Sequence, residues 1–222
     1  MRPIRAALAL AAALLLWPAT LAAQEAPEPK AEPVDVTRLD VERLPPEAIE
    51  LSRDMFALGP MVLAHIGGRG YAGGVGRLVE PGVLATVGLG YGLASWFSLA
   101  AMFEASVHRT DAPAPPSPGT FEVLDAVLEA RLTLPVSARA GLWLAGQGGL
   151  GFATSDLLQL YGVQDAGELG PLYGGSLGFD WHMLSRHHSL GVLAGARLQP
   201  NLDAIDEQTL AIHAAAYLQY SF

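Results

Sequence analysis

Ser106, His108 and Asp125 are the residues whose types and spacing could perform chemistry. A serine hydroxyl, an imidazole and a carboxylate are the nucleophile, base and orienting acid of acyl transfer. Ser106 and His108 are two positions apart, so both lie on one face of a predicted β-strand, and Asp125 lies on the next strand. Because that face points into the predicted fold, where a substrate would need a lateral opening, we expect these residues to be structural rather than catalytic.

Arginines and acids recur on the same predicted face of several strands. Buried charges require partners, and four of each sign are balanced, so we expect a structural network of ion pairs. Its predicted members are Arg69, Glu104, Asp125, Glu129, Arg131, Arg139, Asp180 and Arg197. If these strands close into a small barrel, its interior holds side chains but hardly a column of water, so the network predicts a closed lumen, with a narrow pore as the alternative.

The histidines and glycine clusters predict neither a metal site nor a cofactor site. His187 and His188 are adjacent and point to opposite faces of an extended chain, which is poor ligand geometry. The pair Gly67 and Gly68 is not followed by the lysine and helix of a phosphate-binding loop. We therefore predict no catalytic residue, no cofactor and no metal.

Strict alternation identifies the elements that position these side chains. In the last stretch, 208–222, one face is apolar to the end of the chain. That face contains Leu210, Ile212, Ala214, Ala216, Leu218, Tyr220 and Phe222. In 124–134, leucine and alanine alternate with Asp125, Glu129 and Arg131, and no helical period separates the two sets.

The alternation predicts an all-β fold of eight strands. They are 61–71, 83–91, 97–108, 124–134, 137–152, 172–183, 188–199 and 208–222. The second, fourth and sixth connections are short and the others are long. This order is typical of an antiparallel up-and-down transmembrane β-barrel with both termini at the short-turn end.

Composition agrees with such a barrel. The chain is 51% hydrophobic and 16% charged, values that lie between those of soluble proteins and helical membrane proteins. The net charge of −9 argues against nucleic acid as a partner. Because the chain contains no cysteine, disulfides and a cysteine-linked lipid anchor are excluded.

The N-terminal part predicts export. Arg2 and Arg5 precede an apolar run and small residues, the layout of a signal peptide over 1–23. Residues 24–56 are acidic and proline-rich, which predicts a mostly disordered periplasmic leader with at most a short helix over 47–56. We interpret the leader as a tether, with a partner-docking peptide as the alternative, and place the barrel at 57–222.

The eight alternating segments, the loop order and the ending Tyr220-Ser221-Phe222 resemble the small eight-stranded outer-membrane β-barrel proteins, the kind represented by OmpX and the membrane domain of OmpA. The resemblance implies that Tyr220 and Phe222 form a C-terminal assembly signal read by the barrel-assembly machinery. The acidic leader and the lack of a wall-binding domain depart from OmpA.

We therefore expect a structural or interaction component of the Gram-negative cell envelope in the outer membrane. Its expected partners are outer-membrane lipid, lipopolysaccharide, the assembly machinery and envelope proteins that contact the loops or leader. The alternatives are a surface adhesion, motility or secretion component, a lipid A-modifying enzyme that uses Ser106, and a narrow pore. A helical membrane protein with a span over 83–103 and a secreted β-sandwich are the rival folds.

Overall fold

The computed structural model describes five ranges of the chain. They are 58–111, 117–137, 139–183, 187–204 and 207–222. The predicted signal peptide, 1–23, and leader, 24–56, lie outside the described residues.

Eight antiparallel strands form one closed barrel, in which each strand pairs with its neighbours in sequence and the last pairs with the first. The strands are β1 (Gly59–Gly73), β2 (Gly82–Ala94), β3 (Phe97–Arg109), β4 (Thr120–Pro135), β5 (Ala140–Ala153), β6 (Gly170–His182), β7 (His188–Leu198) and β8 (Thr209–Ser221). The predicted eight-stranded barrel is confirmed, and the strand boundaries differ from prediction by a few residues.

Closure depends on the two terminal strands. β1 pairs with β8 from Met61 opposite Ser221 to Gly73 opposite Thr209. The amide of Phe222 adds a hydrogen bond of 3.1 Å to the carbonyl of Pro60. No edge strand is left unpaired, because the sheet closes on itself.

Side chains alternate between the two faces of the barrel wall, as the period of two requires. Each strand contributes large apolar side chains to the outer face and polar or charged ones to the interior. One exposed apolar residue from each strand in turn illustrates the outer face: Val62, Val87, Phe103, Leu128, Leu144, Leu177, Val192 and Leu218. The outer surface of the barrel is therefore apolar around its circumference.

The connections alternate between short and long, as predicted. The long ones carry 3₁₀ turns at Gly74–Arg77, Gln164–Gly167 and Pro200–Leu202, and a single helical turn, α1, at Leu157–Leu160. In the ranges that the structure describes, no helix is long and apolar enough to cross a bilayer.

The start of β5 differs from the prediction. β4 ends at Pro135 and β5 begins at Ala140, three residues later than expected. The amides of Val136 and Ser137 both hydrogen-bond to the carbonyl of Ala140 and close the turn between the strands. Arg139 therefore lies in this turn and not on a strand, and its side chain is exposed.

Candidate functional site in the barrel interior

Two arginines and two acids form ion pairs in the half of the barrel interior that lies nearer the long loops. Arg69 of β1 donates to Glu104 at 2.6 Å and to Asp125 at 2.5 Å. Arg197 of β7 donates to both carboxylate oxygens of Glu104, at 2.5 and 2.9 Å. All four side chains are almost fully buried. We call these four residues the plug.

Two glutamines complete the plug. Gln199 donates to the second oxygen of Asp125 at 3.1 Å, and Arg197 donates to the side-chain oxygen of Gln147 at 2.6 Å. Every carboxylate oxygen of Glu104 and Asp125 therefore accepts a hydrogen bond. These hydrogen bonds offset the cost of burying the two carboxylates, whereas Nε of Arg69 and Oε1 of Gln199 are buried without a hydrogen-bond partner. A void beside the plug has no room for a water molecule.

A second layer lies on the short-turn side of the plug. Arg131 donates to Glu129 at 3.0 and 3.1 Å, and Gln147 donates to the other oxygen of Glu129 at 2.6 Å. The guanidinium of Arg131 stacks 3.9 Å above the ring of Trp143, whose indole nitrogen donates to Tyr217 at 2.7 Å. The charge of Arg131 is thus held by a carboxylate on one side and an aromatic face on the other.

Glycines on neighbouring strands provide the space for these rings. A Cβ atom built on Gly178 would overlap the ring of Trp143, and one built on Gly191 would overlap the ring of Tyr217. These two glycines therefore make room for the rings of the second layer.

Asp180 is the fourth buried acid, and it differs from the other three. It forms no salt bridge within 4.0 Å to any described residue, and its Oδ1 atom is buried without a hydrogen-bond partner. Asp180 lines a polar cavity of about 30 Å³ at the short-turn end, together with Ser98, Arg131, Thr133, His182 and Gln219. We call this cavity the vestibule.

Seven of the eight residues predicted for the charge network face the interior, and Arg139 does not. The prediction for Arg139 is wrong because the β4–β5 turn extends through it, so the alternation of β5 does not reach it. In the described part of the interior, three arginines therefore face four acids, and the expected balance of four against four is replaced by an excess of one negative charge.

Ser106 and His108 are in contact, but Asp125 is not their partner. His108 Nδ1 lies 3.3 Å from the carbonyl of Glu80, which can only accept, so Nδ1 is the donor and Nε2 accepts from the Ser106 hydroxyl at 3.0 Å. Asp125 is bound by Arg69 instead. The His108 tautomer with its proton on Nδ1 is the one that a general base would need.

Access to this pair is closed. Ser106 has 0% of its surface exposed and His108 has 2%. The ring of His108 lies between Tyr71, with centroids 5.0 Å apart, and Phe121, with centroids 5.6 Å apart. A substrate could reach the hydroxyl only if these rings moved.

The long loops cover the barrel end opposite the short turns with a shared apolar cluster, which we call the cap. It contains Val75, Val79, Phe121, Val123, Ala153, Leu158, Val163, Ala166, Leu202 and Ala204. The exposed pair Arg77 and Glu207, 2.5 Å apart, links the first long loop to the fourth. The cap was not predicted, because single apolar residues in loops show no period. The pairs Leu157-Leu158 and Leu78-Val79 in otherwise polar loops are the signal that could have found it.

The predicted assembly signal lies at the short-turn rim on the outer face. The rings of Tyr220 and Phe222 are 5.0 Å apart at right angles, and His187 stacks on Tyr220 at 5.7 Å. His187 also donates to the carbonyl of Ser221 at 2.7 Å. The ending is thus packed onto the β6–β7 turn, while its role in assembly stays a prediction.

Among the described residues, no group of three or more histidine, aspartate or glutamate side chains is arranged to hold a metal ion. In the part of the chain that the structure describes, the interior is closed and one carboxylate oxygen, Oδ1 of Asp180, is buried without a hydrogen-bond partner.

Comparisons with known proteins address the fold. A scan of protein-family models found no match, and neither did a search of curated proteins. Among solved structures, Neisserial surface protein A aligns with 74% of this chain and 97% of its own, with 14% identity and a TM-score of 0.58.

Two other solved structures align more loosely. The outer membrane protein OprG from Pseudomonas aeruginosa covers 74% of this chain and 97% of its own, with 10% identity and a TM-score of 0.46. The outer membrane enzyme PagL covers 73% and 99%, with 11% identity and a TM-score of 0.42. Together with the closed eight-stranded architecture, the likeness to Neisserial surface protein A shows that this chain has the fold of the small eight-stranded outer-membrane β-barrels.

Proposed function

We propose that this protein is a non-enzymatic β-barrel of the bacterial outer membrane that serves the cell envelope as a structural or interaction component. The observation that carries the proposal is a continuous apolar outer surface around an interior closed by ion pairs. Soluble proteins rarely expose apolar patches of more than a few hundred Å², so a surface of this kind requires lipid.

The height of the apolar band supports a membrane position. On β4 the outward residues run from Leu124 to Leu134, ten positions apart. With a rise of about 3.3 Å per residue and a strand tilt of about 40°, this length corresponds to about 25 Å along the barrel axis. The apolar band of outer-membrane barrels is about as tall.

The ends of the band support an orientation. Exposed aromatic side chains gather at the short-turn end, where Tyr91, Trp96, Trp181, Tyr220 and Phe222 form part of a girdle. Aromatic girdles lie at membrane interfaces, and short turns face the periplasm in barrels of this kind. This orientation puts the leader, 24–56, in the periplasm and the capped long loops outside the cell.

The cap and the plug favour an interaction role over transport. The loops share an apolar cluster and so present a folded surface outside the barrel, where lipopolysaccharide or an envelope protein would contact it. Adhesion, motility and secretion components remain specialisations of this role. The plug blocks the path that a pore would need, because its arginines span the interior from β1 and β7 to β3 and β4.

Membrane insertion is tested with single cysteines, since the chain has none of its own. A spin label at Leu128 or Leu144, both on the outer face, should report lipid, whereas a label at Gln164 in a long loop should report water. The unboiled protein should also migrate differently from the boiled protein on an SDS gel. Recovery of the protein as a water-soluble species without detergent would contradict the proposal.

The closed lumen is tested by planar-bilayer recording. The pure protein should give no steady current, and a nanosiemens-scale current would show that the plug does not block the lumen.

The enzymatic alternative rests on the contact between Ser106 and His108. A fluorophosphonate probe, which reacts with activated serines, should not label the folded protein, because Ser106 is enclosed. Labelling that Ser106→Ala abolishes would establish an activated serine and favour the lipid A-modifying alternative.

A further inference from the structure

The charges of the described interior do not cancel, and the excess is located at one residue. Glu104, Asp125 and Glu129 each have both carboxylate oxygens hydrogen-bonded by arginine or glutamine side chains. Asp180 is as deeply buried, with 5% of its surface exposed, yet its Oδ1 atom has no partner. An uncompensated buried charge is strongly unfavourable, so Asp180 must be neutralised by a proton or by a positive counterpart.

A second free acceptor faces the same space. Gln219 of β8 lines the vestibule with Asp180, and its side-chain Oε1 is also buried without a hydrogen-bond partner. The hydroxyl residues Ser98 and Thr133 line it as well. Carboxylate, amide and hydroxyl oxygens are the ligands that hard cations prefer.

Among the described residues, the arginine that lines the vestibule is already engaged. Arg131 lines the vestibule but donates through Nε and a terminal nitrogen to Glu129 and stacks on Trp143. It lies more than 4.0 Å from the carboxylate of Asp180, with which it forms no salt bridge. Oδ1 of Asp180 and Oε1 of Gln219 therefore have no hydrogen-bond partner and can accept a ligand from solution.

We propose that the vestibule binds one small monovalent cation, an alkali metal ion or ammonium, through the free oxygens of Asp180 and Gln219. One uncompensated carboxylate matches one positive charge, whereas divalent sites of proteins usually contain several carboxylates. The vestibule, at about 30 Å³, has room for a small ion with a water molecule but not for an organic cation. The site lies at the short-turn end and is separate from the plug.

The test compares the thermal unfolding of the detergent-solubilised protein in sodium, potassium or N-methyl-D-glucamine chloride at equal ionic strength. The assay runs at pH 8, where a histidine of ordinary pKa is neutral, because His182 also lines the vestibule. The unfolding midpoint of the wild type should be higher in sodium or potassium than in N-methyl-D-glucamine, on the order of 5 °C.

Asp180→Asn has nearly the same shape but no charge, so its midpoint should be the same in all three salts. Gln219→Leu keeps the charge of Asp180 but removes the amide oxygen. This variant should therefore need a higher sodium concentration to reach half of the rise in unfolding midpoint that the wild type shows. Glu122→Gln, which changes an exposed acid of β4, is the matched control and should respond to the salts as the wild type does.

Two results would overturn the proposal. A wild type indifferent to the cation would mean that a proton or another group of the chain balances Asp180. An Asp180→Asn variant with an undiminished response would place the cation elsewhere.

Discussion

The two halves of the barrel interior handle buried charge differently. Near the long loops, Glu104 lies between Arg69 and Arg197, and the cap covers the group. Near the short turns, Asp180 has an oxygen without a hydrogen-bond partner and faces a cavity. The same alternation of side chains builds both halves, so the difference must come from where the arginines fall.

The number of arginines within reach explains the contrast. β1 and β7 each place one arginine at the level of Glu104, whereas the arginine nearest in sequence to the start of β5, Arg139, is exposed in a turn. Because β5 begins three residues later than predicted, Arg139 does not enter the half near the short turns. That half keeps one more acid than arginine, whereas the half near the long loops is neutral. In the half near the long loops each plug carboxylate is ion-paired, and the half at the short-turn end carries the proposed cation site.

The largest contrast is expected between two matched substitutions of buried acids. Glu104→Gln should destabilise the barrel by about 3–5 kcal/mol, because it leaves Arg197 without a counter-charge and Arg69 with Asp125 alone. In N-methyl-D-glucamine chloride, where no small cation is present, Asp180→Asn should change stability by less than about 1 kcal/mol, because it removes an unpaired charge. Urea titration of refolding into detergent or lipid vesicles, followed by the gel shift, measures both.

Equal losses for the two variants would show that Asp180 is held as firmly as Glu104. The inference that the two halves of the interior pair their buried acids differently would then be wrong.

The cap should weaken without the barrel when its centre is truncated. Leu158 is fully enclosed in the apolar cluster, and Leu160, two residues later, is exposed. Leu158→Ala should cost the cap about 2–5 kcal/mol, and Leu160→Ala should cost less than about 0.5 kcal/mol. A loss of about 2 kcal/mol raises the fraction of molecules with an open cap about 30-fold. Limited proteolysis of the loops should therefore be faster in Leu158→Ala but not in Leu160→Ala.

An unchanged gel shift in both variants is the control, since it shows that the strands stay paired. Equal cleavage rates would mean that the loops move independently and that the cap is not a cooperative unit.

The strands and their facing were predictable because a membrane barrel imposes one strong rule on sequence. Every second residue must be apolar over about ten positions, and the stretch around Leu128 and Glu129 shows that rule without exception. The rule stops at the strand end, where turn geometry decides the direction of a side chain. Arg139 was misplaced for that reason.

The interior partners and the cap were less predictable. Alternation places Gln147 and Tyr217 on the inner face but cannot show that the first binds Glu129 or that the second accepts from Trp143. Those contacts depend on strand stagger and on glycines opposite the rings, which no local pattern encodes. Ser106 and His108 were found from spacing, whereas their separation from Asp125 depends on Arg69.

A smaller effect is expected where the ring of Trp143 packs against Gly178 of the barrel wall. Gly178→Ala would push a methyl group into Trp143, which is held by Tyr217 and Arg131, so we expect a loss of about 1–3 kcal/mol. Gly146→Ala is the control, because no atom lies within 4 Å of its Cβ position. Tryptophan fluorescence during urea unfolding follows both variants, and a neutral Gly178→Ala would show that the ring layer can relax.

The smallest effect is expected at the exposed link between the first and fourth long loops. Arg77 and Glu207 are paired at 2.5 Å, but their side chains are 62% and 41% exposed, so water and salt screen the interaction. Arg77→Gln should therefore cost the cap no more than about 1 kcal/mol, and the loss should vanish at 1 M salt. Loop proteolysis at low and high salt measures this. A large, salt-independent loss would mean that this surface pair holds the cap closed, a role that the structure assigns to the apolar cluster around Leu158.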